Sequence, residues 1–258
     1  MTKQFHHALN RMALFTALLV AGLILFYQPF LRVATANIFL NGIIIGTTIF
    51  GIGLCFVEMF RLLPEYKWAR AYFAGKKNAP LPPRLLRPVA LILRARPIRI
   101  SASTLNGMLD MILTRFDDSR ESIRYITNIL IFLGLLGTFW GLIVTVGGFA
   151  DLIGALDFAD ESVLSAMQAG LTRPLSGMVT AFTSSLMGLA GSLTIGFLGL
   201  QVQIAQNGIF RELEDYLSAH TTVAEVDTVA TVLPQISNAT KKLNTSVREL
   251  RETVSELA

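Results

Sequence analysis

The chain has 258 residues, of which 52% are hydrophobic and only 16% are charged. This composition excludes an ordinary soluble domain and indicates an integral membrane protein. Cys55 is the only cysteine, which excludes an internal disulfide bond. The sequence contains no nucleophile elbow, Walker loop or cluster of metal-ligand residues. We therefore expect no enzymatic activity, no cofactor and no metal site.

Four segments are long and apolar enough to cross a bilayer, which takes about 20 residues. The first two are about Met12–Tyr27, expected to extend to Phe30, and Ile38–Val57. The third and fourth, Thr127–Gly148 and Pro174–Leu200, carry no charge and are rich in Gly, Ser and Thr. Such residues favour close helix contact or a polar path through protein.

The charges between the spans predict the orientation of the chain. The connection 58–125 carries thirteen Lys and Arg against six Asp and Glu, whereas 150–173 carries four acidic residues and one Arg. Basic segments mark the cytoplasmic side, so both termini and the 58–125 connection are expected inside the cell. The basic residues alternate with Leu and Pro and form no recognition motif, so we expect no nucleic-acid partner.

The cytoplasmic segments differ in their helical pattern. Lys76–Arg99 contains five prolines and cannot form one regular helix, so its apolar residues are expected to dock on neighbouring helices. Ser103–Arg124 has helical apolar spacing and leads into the third span without a proline. We predict one long helix that projects into the cytoplasm, and a matching extension after the fourth span, at 207–220.

The C-terminal tail has the most regular apolar pattern of the chain. An alternating spacing of four and three residues defines a heptad seam, formed by Val229, Leu233, Ile236, Thr240, Leu243, Val247, Leu250, Val254 and Leu257. Because Pro234 interrupts the beginning, the helix is expected to start near Gln235. The pattern favours a parallel coiled coil between subunits, and the alternative is one amphipathic helix packed on its own subunit.

These patterns predict an all-α integral membrane protein with four transmembrane helices, long cytoplasmic helical extensions and a C-terminal coiled-coil tail. The expected regions are the first helix pair (1–57), the basic cytoplasmic segment with its helix (58–125), the channel-type helices (126–217) and the heptad tail (218–258).

Small and hydroxylated residues form stripes on the third and fourth spans, because helical positions seven or eleven apart share a face. The third span places Thr127, Gly134, Thr138, Gly141 and Thr145 on one face, and the fourth aligns Gly177, Ser184, Gly188, Gly191 and Gly199, with Ser185, Ser192 and Gln203 beside them. Helix packing is one interpretation, with contacts at Gly134, Gly141, Gly177, Gly188 and Gly191. A polar lumen is the other, with Thr138, Ser185, Thr145, Thr127 and Thr180 along an ion path. No Asp, Glu, Lys, Arg or His lies inside a span, so a proton path would need an acid from another subunit.

Two motifs resemble a known family. The segment LGLLGTFWGLI (Leu133–Ile143) looks like the third-span signature of the MotA/TolQ/ExbB proton-channel family, and GMVTAFTSSLMGL (Gly177–Leu189) is similar to its fourth-span segment. The four-span layout resembles the MotA branch, and a heptad tail after the last span resembles the ZorA type of Zorya anti-phage systems.

The resemblance implies a homo-pentamer in the bacterial inner membrane, around two copies of a one-span MotB-, TolR- or ExbD-like partner with a membrane aspartate. Proton flow would rotate the pentamer and perform mechanical work. Thr138 matches the family's third-span threonine, Ser185 stands where the family has a fourth-span threonine, and Thr180 stands where ExbB and TolQ proteins have glutamate. The proline of MotA proteins at the start of the third span is absent from Tyr125–Leu136.

Two other functions stay open at this point, as do the identity of the ion and the role of the tail. The chain could be a membrane scaffold without ion flow, or a small-solute transporter, although no internal repeat or broken span supports the latter. Sodium could replace the proton, since hydroxyls and carbonyls also suit it. The tail could hold the pentamer together or contact a cytosolic partner.

Overall fold

The computed structural model describes residues 2–73, 84–94, 102–155, 163–220 and 233–248, and these ranges contain helices, turns and bends but no strand. The helices are α1 (Thr2–Leu25), α2 (Tyr27–Thr35), α3 (Ile38–Phe73), α4 (Arg87–Arg94), α5 (Ala102–Ala155), α6 (Val163–Gly170) and α7 (Thr172–His220). A further helix, α8, covers 233–248. Four of the described helices, α1, α3, α5 and α7, are long and apolar enough to cross a membrane. The prediction of a helical chain with four membrane-length helices is therefore confirmed for the described residues.

Two very long helices, α5 and α7, form the centre of the molecule. They have 54 and 49 residues, which at 1.5 Å per residue gives lengths of about 80 and 75 Å. A hydrocarbon layer is only about 30 Å thick. Each helix therefore extends well beyond its apolar segment, as the unbroken patterns of Ser103–Arg124 and 207–220 predict.

The extensions pack together in one apolar core. Ile112 and Phe116 of α5 lie fully buried with Leu213 and Leu217 of α7, and Met59 of α3 joins the same cluster. Aromatic pairs add to this core, because the rings of Phe73 and Tyr216 stack with centroids 4.3 Å apart. The parts of α3, α5 and α7 beyond their apolar segments are thus one packed unit rather than separate arms.

The first apolar helix ends earlier than the sequence predicts. It stops at Leu25 rather than Phe30, and Phe26 has non-helical backbone angles before α2 begins. Pro29 explains the break, because a proline ring clashes with the carbonyl four residues earlier, here that of Leu25, and has no N–H to donate to it. The short connection to the second span is therefore largely the helix α2 rather than a simple turn.

The short helix α4 is held by a buried carboxylate of α3. Glu65 is only 2% exposed and accepts backbone N–H groups of Arg84, Leu85 and Leu86 at 3.0, 2.9 and 3.2 Å. These amides precede α4, whose Val89 is fully buried in the apolar core. The carboxylate thus stabilises free amides at the beginning of a helix, as a capping residue does.

We expect Glu65→Ala to lower the free energy of unfolding by about 2–3 kcal/mol, because it leaves buried backbone donors without an acceptor. Thermal or denaturant unfolding in detergent, followed by circular dichroism, measures the change. Glu58→Ala is the control, because Glu58 pairs with an Arg61 side chain that is 65% exposed, and ion pairs open to solvent contribute at most about 1 kcal/mol. Equal losses for the two variants would contradict the capping role.

The tail is helical from 233 to 248, so Pro234 lies in the first turn, where proline is tolerated. The helix therefore begins slightly before Gln235. Ile236, Leu243 and Val247 are all more than half exposed, so the described part of the seam does not pack on its own subunit. Leu250, Val254 and Leu257 lie outside the described residues, and the coiled coil stays a prediction.

Candidate functional site

The third and fourth spans touch along a seam of glycines. A methyl group added to Gly141 would lie 2.5 Å from the backbone nitrogen of Ala181 and 2.5 Å from the carbonyl oxygen of Gly177. One added to Gly188 would lie 2.6 Å from the carbonyl oxygen of Leu130 and 2.8 Å from the Cα of Gly134. Only glycine fits such distances between backbones, so α5 and α7 approach each other as closely as small-residue membrane helices can.

The seam fixes an antiparallel register between α5 and α7. From one end to the other, Gly134 lies against Gly188, Gly137 against Ser184, Gly141 against Ala181, and Gly148 against Pro174. The remaining predicted packing residue, Gly191, lies against Thr48 of α3, where an added methyl group would come within 2.5 Å of the threonine hydroxyl. The glycine stripes therefore contact two different neighbours.

A buried polar link joins the second and fourth spans. The Ser184 hydroxyl donates to Oδ1 of Asn41 at 2.7 Å, and the Asn41 amide donates to the carbonyl of Val33 at 2.8 Å. Ser184 and Asn41 are both completely buried. A buried amide without partners is costly, so this link favours one position of α3 against α7.

A double-mutant cycle tests this link. We expect Ser184→Ala and Asn41→Ala to show a coupling energy of about 1 kcal/mol, the size found for hydrogen bonds between membrane helices. Ser184→Ala with Thr48→Val is the matched control, because the Thr48 hydroxyl donates within its own helix, to Ile44. That second pair should be additive within about 0.5 kcal/mol. A cycle without coupling energy would show that this hydrogen bond does not determine the position of α3 against α7.

Three of the hydroxyl groups predicted along an ion path are hydrogen-bonded to backbone carbonyls of their own chain or buried within it. Thr145 is buried and lies within hydrogen-bond distance of the carbonyls of Gly141 and Pro174, at 2.8 and 3.2 Å. Thr127 is half-buried and donates to Ile123 at 3.0 Å. Thr180 is buried, and its position one helical turn before Ser184 places it on the side of α7 that faces α3.

Thr138 and Ser185 lie on the other side of the α5–α7 pair. Each follows a residue of the seam, Gly137 or Ser184, by one position, and one position turns a helix by about 100°. Because the two helices are antiparallel, this turn takes both residues to the same side, away from α3. With a rise of 1.5 Å per residue, their Cα atoms differ in depth by about 3 Å.

We define the open face as the side of the α5–α7 pair that carries Thr138 and Ser185. Both residues are partly exposed, and the Thr138 hydroxyl donates to the carbonyl of Leu135 at 2.6 Å. Large apolar side chains surround them, each more than half exposed in the isolated chain: Leu135, Leu142, Phe182 and Leu189. At this depth the open face thus presents a pair of hydroxyls among exposed apolar side chains.

Charged groups lie only beyond the ends of this region. At one end Asp151 pairs with Arg173. The other acidic residues of the 150–173 connection, Asp157, Asp160 and Glu161, lie outside the described residues. At the opposite end Arg120 donates to Gln206 and Asn207, at 2.9 and 2.6 Å.

Comparison with family models, curated proteins and solved structures finds no match to this chain.

Sequence reasoning missed two polar residues that organise the site. Asn41 lies near the beginning of an apolar span, where an amide is costly without partners, and this signal could have identified it. Glu65 comes directly after Pro64 in a basic segment. No local sequence pattern indicates that the Glu65 carboxylate caps a helix about twenty residues later.

Proposed function

We propose that this chain is the ring-forming subunit of an ion-driven motor. Five copies surround a one-span partner dimer whose membrane aspartate carries the proton. The observation that carries the proposal is the pairing of Thr138 and Ser185, about 3 Å apart in depth, among exposed apolar side chains of the open face. The resemblance of Leu133–Ile143 and Gly177–Leu189 to the MotA/TolQ/ExbB family supports the same function.

An uncharged wall suits a carboxyl group that must change its protonation state during each cycle. A fixed cation beside an aspartate lowers its pKa and holds the charged form, whereas apolar surroundings favour the neutral form. Hydroxyl groups can donate to a carboxylate and accept from a carboxylic acid. Thr138 and Ser185 therefore tolerate both forms, and the chain has no charge within the spans that would trap either one.

The exposed apolar side chains of the open face support an oligomer. Phe182 is 72% exposed, and neighbouring copies of the chain would cover such side chains while the hydroxyl pair faces the lumen. In this arrangement the complex lies in the bacterial inner membrane, and both termini of each chain lie in the cytoplasm. The exposed seam of α8 would join the five copies or contact a cytosolic partner.

Cysteine accessibility tests the proposal directly. In a Cys55→Ala background, single cysteines at 138 and 185 should react with a small charged thiol reagent when the chain is expressed alone. Co-expression with a one-span partner of the proposed kind should protect both positions. Cysteines at 183 and 132 are matched controls, because Thr183 and Phe132 lie on other sides of the same helices, and should stay unreactive in both states.

Native mass spectrometry of the same samples counts the subunits. We expect five copies of this chain and two of the partner. An assembly without a foreign helix, or equal labelling at all four positions, would contradict the motor and favour a scaffold.

A further inference from the structure

The cytoplasmic end of the helix bundle contains a half-open cleft of about 360 Å³. It lies between the helices α3, α5 and α7 and the short segment that precedes α4. Its charged lining comprises Arg61, Arg84, Arg115, Glu58 and Glu65. The volume is within the ~300–1,000 Å³ that small-molecule sites occupy. The proposed motor does not involve this cleft, which borders the second half of α3, whereas Asn41 lies near the beginning of that helix.

The charges of the lining leave a surplus of cations. Glu58 pairs with Arg61 at 2.9 Å, and the Glu65 carboxylate accepts three backbone N–H groups. Arg84 and Arg115 form no ion pair with any of the described residues. Two guanidinium groups without a carboxylate partner therefore border one cavity, and guanidinium groups bind phosphate through paired hydrogen bonds.

The floor of the cleft is rigid. Phe116 and Gln206 are both buried, and the Gln206 side chain is fixed by the donor Nε of Arg120 at 2.9 Å. Glu65 holds the Arg84 backbone in place through its N–H group, at 3.0 Å. A ligand would therefore meet cations on a preformed support, which lowers the entropic cost of binding.

The depth of the cleft matches the headgroup layer of a membrane. Arg61 lies four residues after Val57, where the second apolar span is expected to end, which corresponds to about 6 Å along the helix. The headgroup layer is about 5–8 Å thick on each side of the hydrocarbon. The cleft thus begins at the level of the lipid phosphates, and basic pockets between helices on the cytoplasmic side are typical of anionic-lipid binding.

We propose that this cleft binds a phosphate group, held by Arg84 and Arg115 with Arg61 at the membrane side. The phosphate of an anionic phospholipid and that of a small soluble phosphate ester share this chemistry, and the experiment separates the two sources.

The test uses the full chain in nanodiscs of phosphatidylcholine, with or without phosphatidylglycerol, and in detergent with inorganic phosphate or glycerol 3-phosphate. Bound ligand is counted by native mass spectrometry, and the thermal midpoint is measured in parallel. The double variant Arg84→Gln/Arg115→Gln should bind the phosphate ligand at least about tenfold more weakly, since it removes two charge-assisted contacts. Arg124→Gln/Arg211→Gln is the matched control, with the same loss of charge at exposed positions outside the cleft, and should change binding less than about twofold.

Retention of phosphatidylglycerol alone assigns the cleft to a lipid, and binding of the soluble esters assigns it to a soluble phosphate compound. Equal losses for the two double variants, or no binding of any probe, would overturn the proposal. None of these results depends on pentamer formation, so they are independent of the motor test.

Discussion

Gly141→Ala is expected to destabilise the protein by about 3 kcal/mol, near the upper end of the cost of overpacking. The new methyl group would lie 2.5–2.6 Å from the backbone nitrogen and Cβ of Ala181 and from the carbonyl oxygen of Gly177. Two of these atoms belong to the backbone and cannot rotate away. The helices must therefore separate by about 1 Å, which weakens dispersion contacts along the whole seam.

The chain offers a matched control for this prediction on the same helix. A methyl group at Gly147 would meet no atom within 4 Å, so Gly147→Ala should be neutral or stabilising by up to about 1 kcal/mol through helix propensity. Thermal midpoints in one detergent, with the yield of assembled protein, measure both variants. Similar midpoints for the two would show that α5 and α7 do not meet at this distance in the membrane.

The seam also sets the geometry of the hydroxyl pair. The Cα atoms of Thr138 and Ser185 lie within about 3 Å of each other in depth because Gly137 lies against Ser184. A shift of one helix by a single turn would change this difference in depth by about 5 Å. The prediction for Gly141 therefore concerns the open face as well as stability, since a wider seam alters the position of both residues.

Much of the fold could be predicted from the sequence because apolar length and helical periodicity are local properties. Uninterrupted apolar spacing predicts the long helices α5 and α7, and the small-residue stripes predict their close faces. Periodicity identifies a face but does not identify the neighbour that covers it. For this reason the sequence could not separate Thr138, on the open face, from Thr180, which is buried on the α3 side.

Long-range polar contacts were beyond sequence reasoning for the same reason. The bond from Ser184 to Asn41 joins residues 143 positions apart, and the Glu65 carboxylate reaches amides about twenty positions away. Each contact depends on how the helices pack. Pro29 is a different case, because its clash with the Leu25 carbonyl is local. The end of the first helix at Leu25 is therefore predictable from the sequence.

Under the proposed function, Thr138→Val is expected to reduce ion-coupled activity to background while the assembly persists. Valine has nearly the shape of threonine, so the helix packing is retained, and the change removes the hydroxyl that now donates to the Leu135 carbonyl. The carboxyl group of the proposed partner would then meet only the Ser185 hydroxyl on this part of the wall, and a buried carboxylate with too few partners is strongly disfavoured. Proton uptake into vesicles that contain the chain and the proposed one-span partner, followed with a pH-sensitive dye, measures the effect.

The control for this change is Thr183→Val on α7. The Thr183 hydroxyl also donates to a carbonyl of its own helix, that of Val179 at 2.8 Å, but Thr183 precedes Ser185 by two positions and so lies about 200° away around the helix. The Thr183→Val variant should keep full proton uptake. Ser185→Ala, as a single variant, should reduce proton uptake as Thr138→Val does. Vesicles in sodium-free buffer identify the coupling ion, because a proton-driven complex keeps its activity there. Normal uptake by Thr138→Val would remove the hydroxyl pair from the ion path, and dissociation of the variant into single chains would reassign Thr138 to subunit packing.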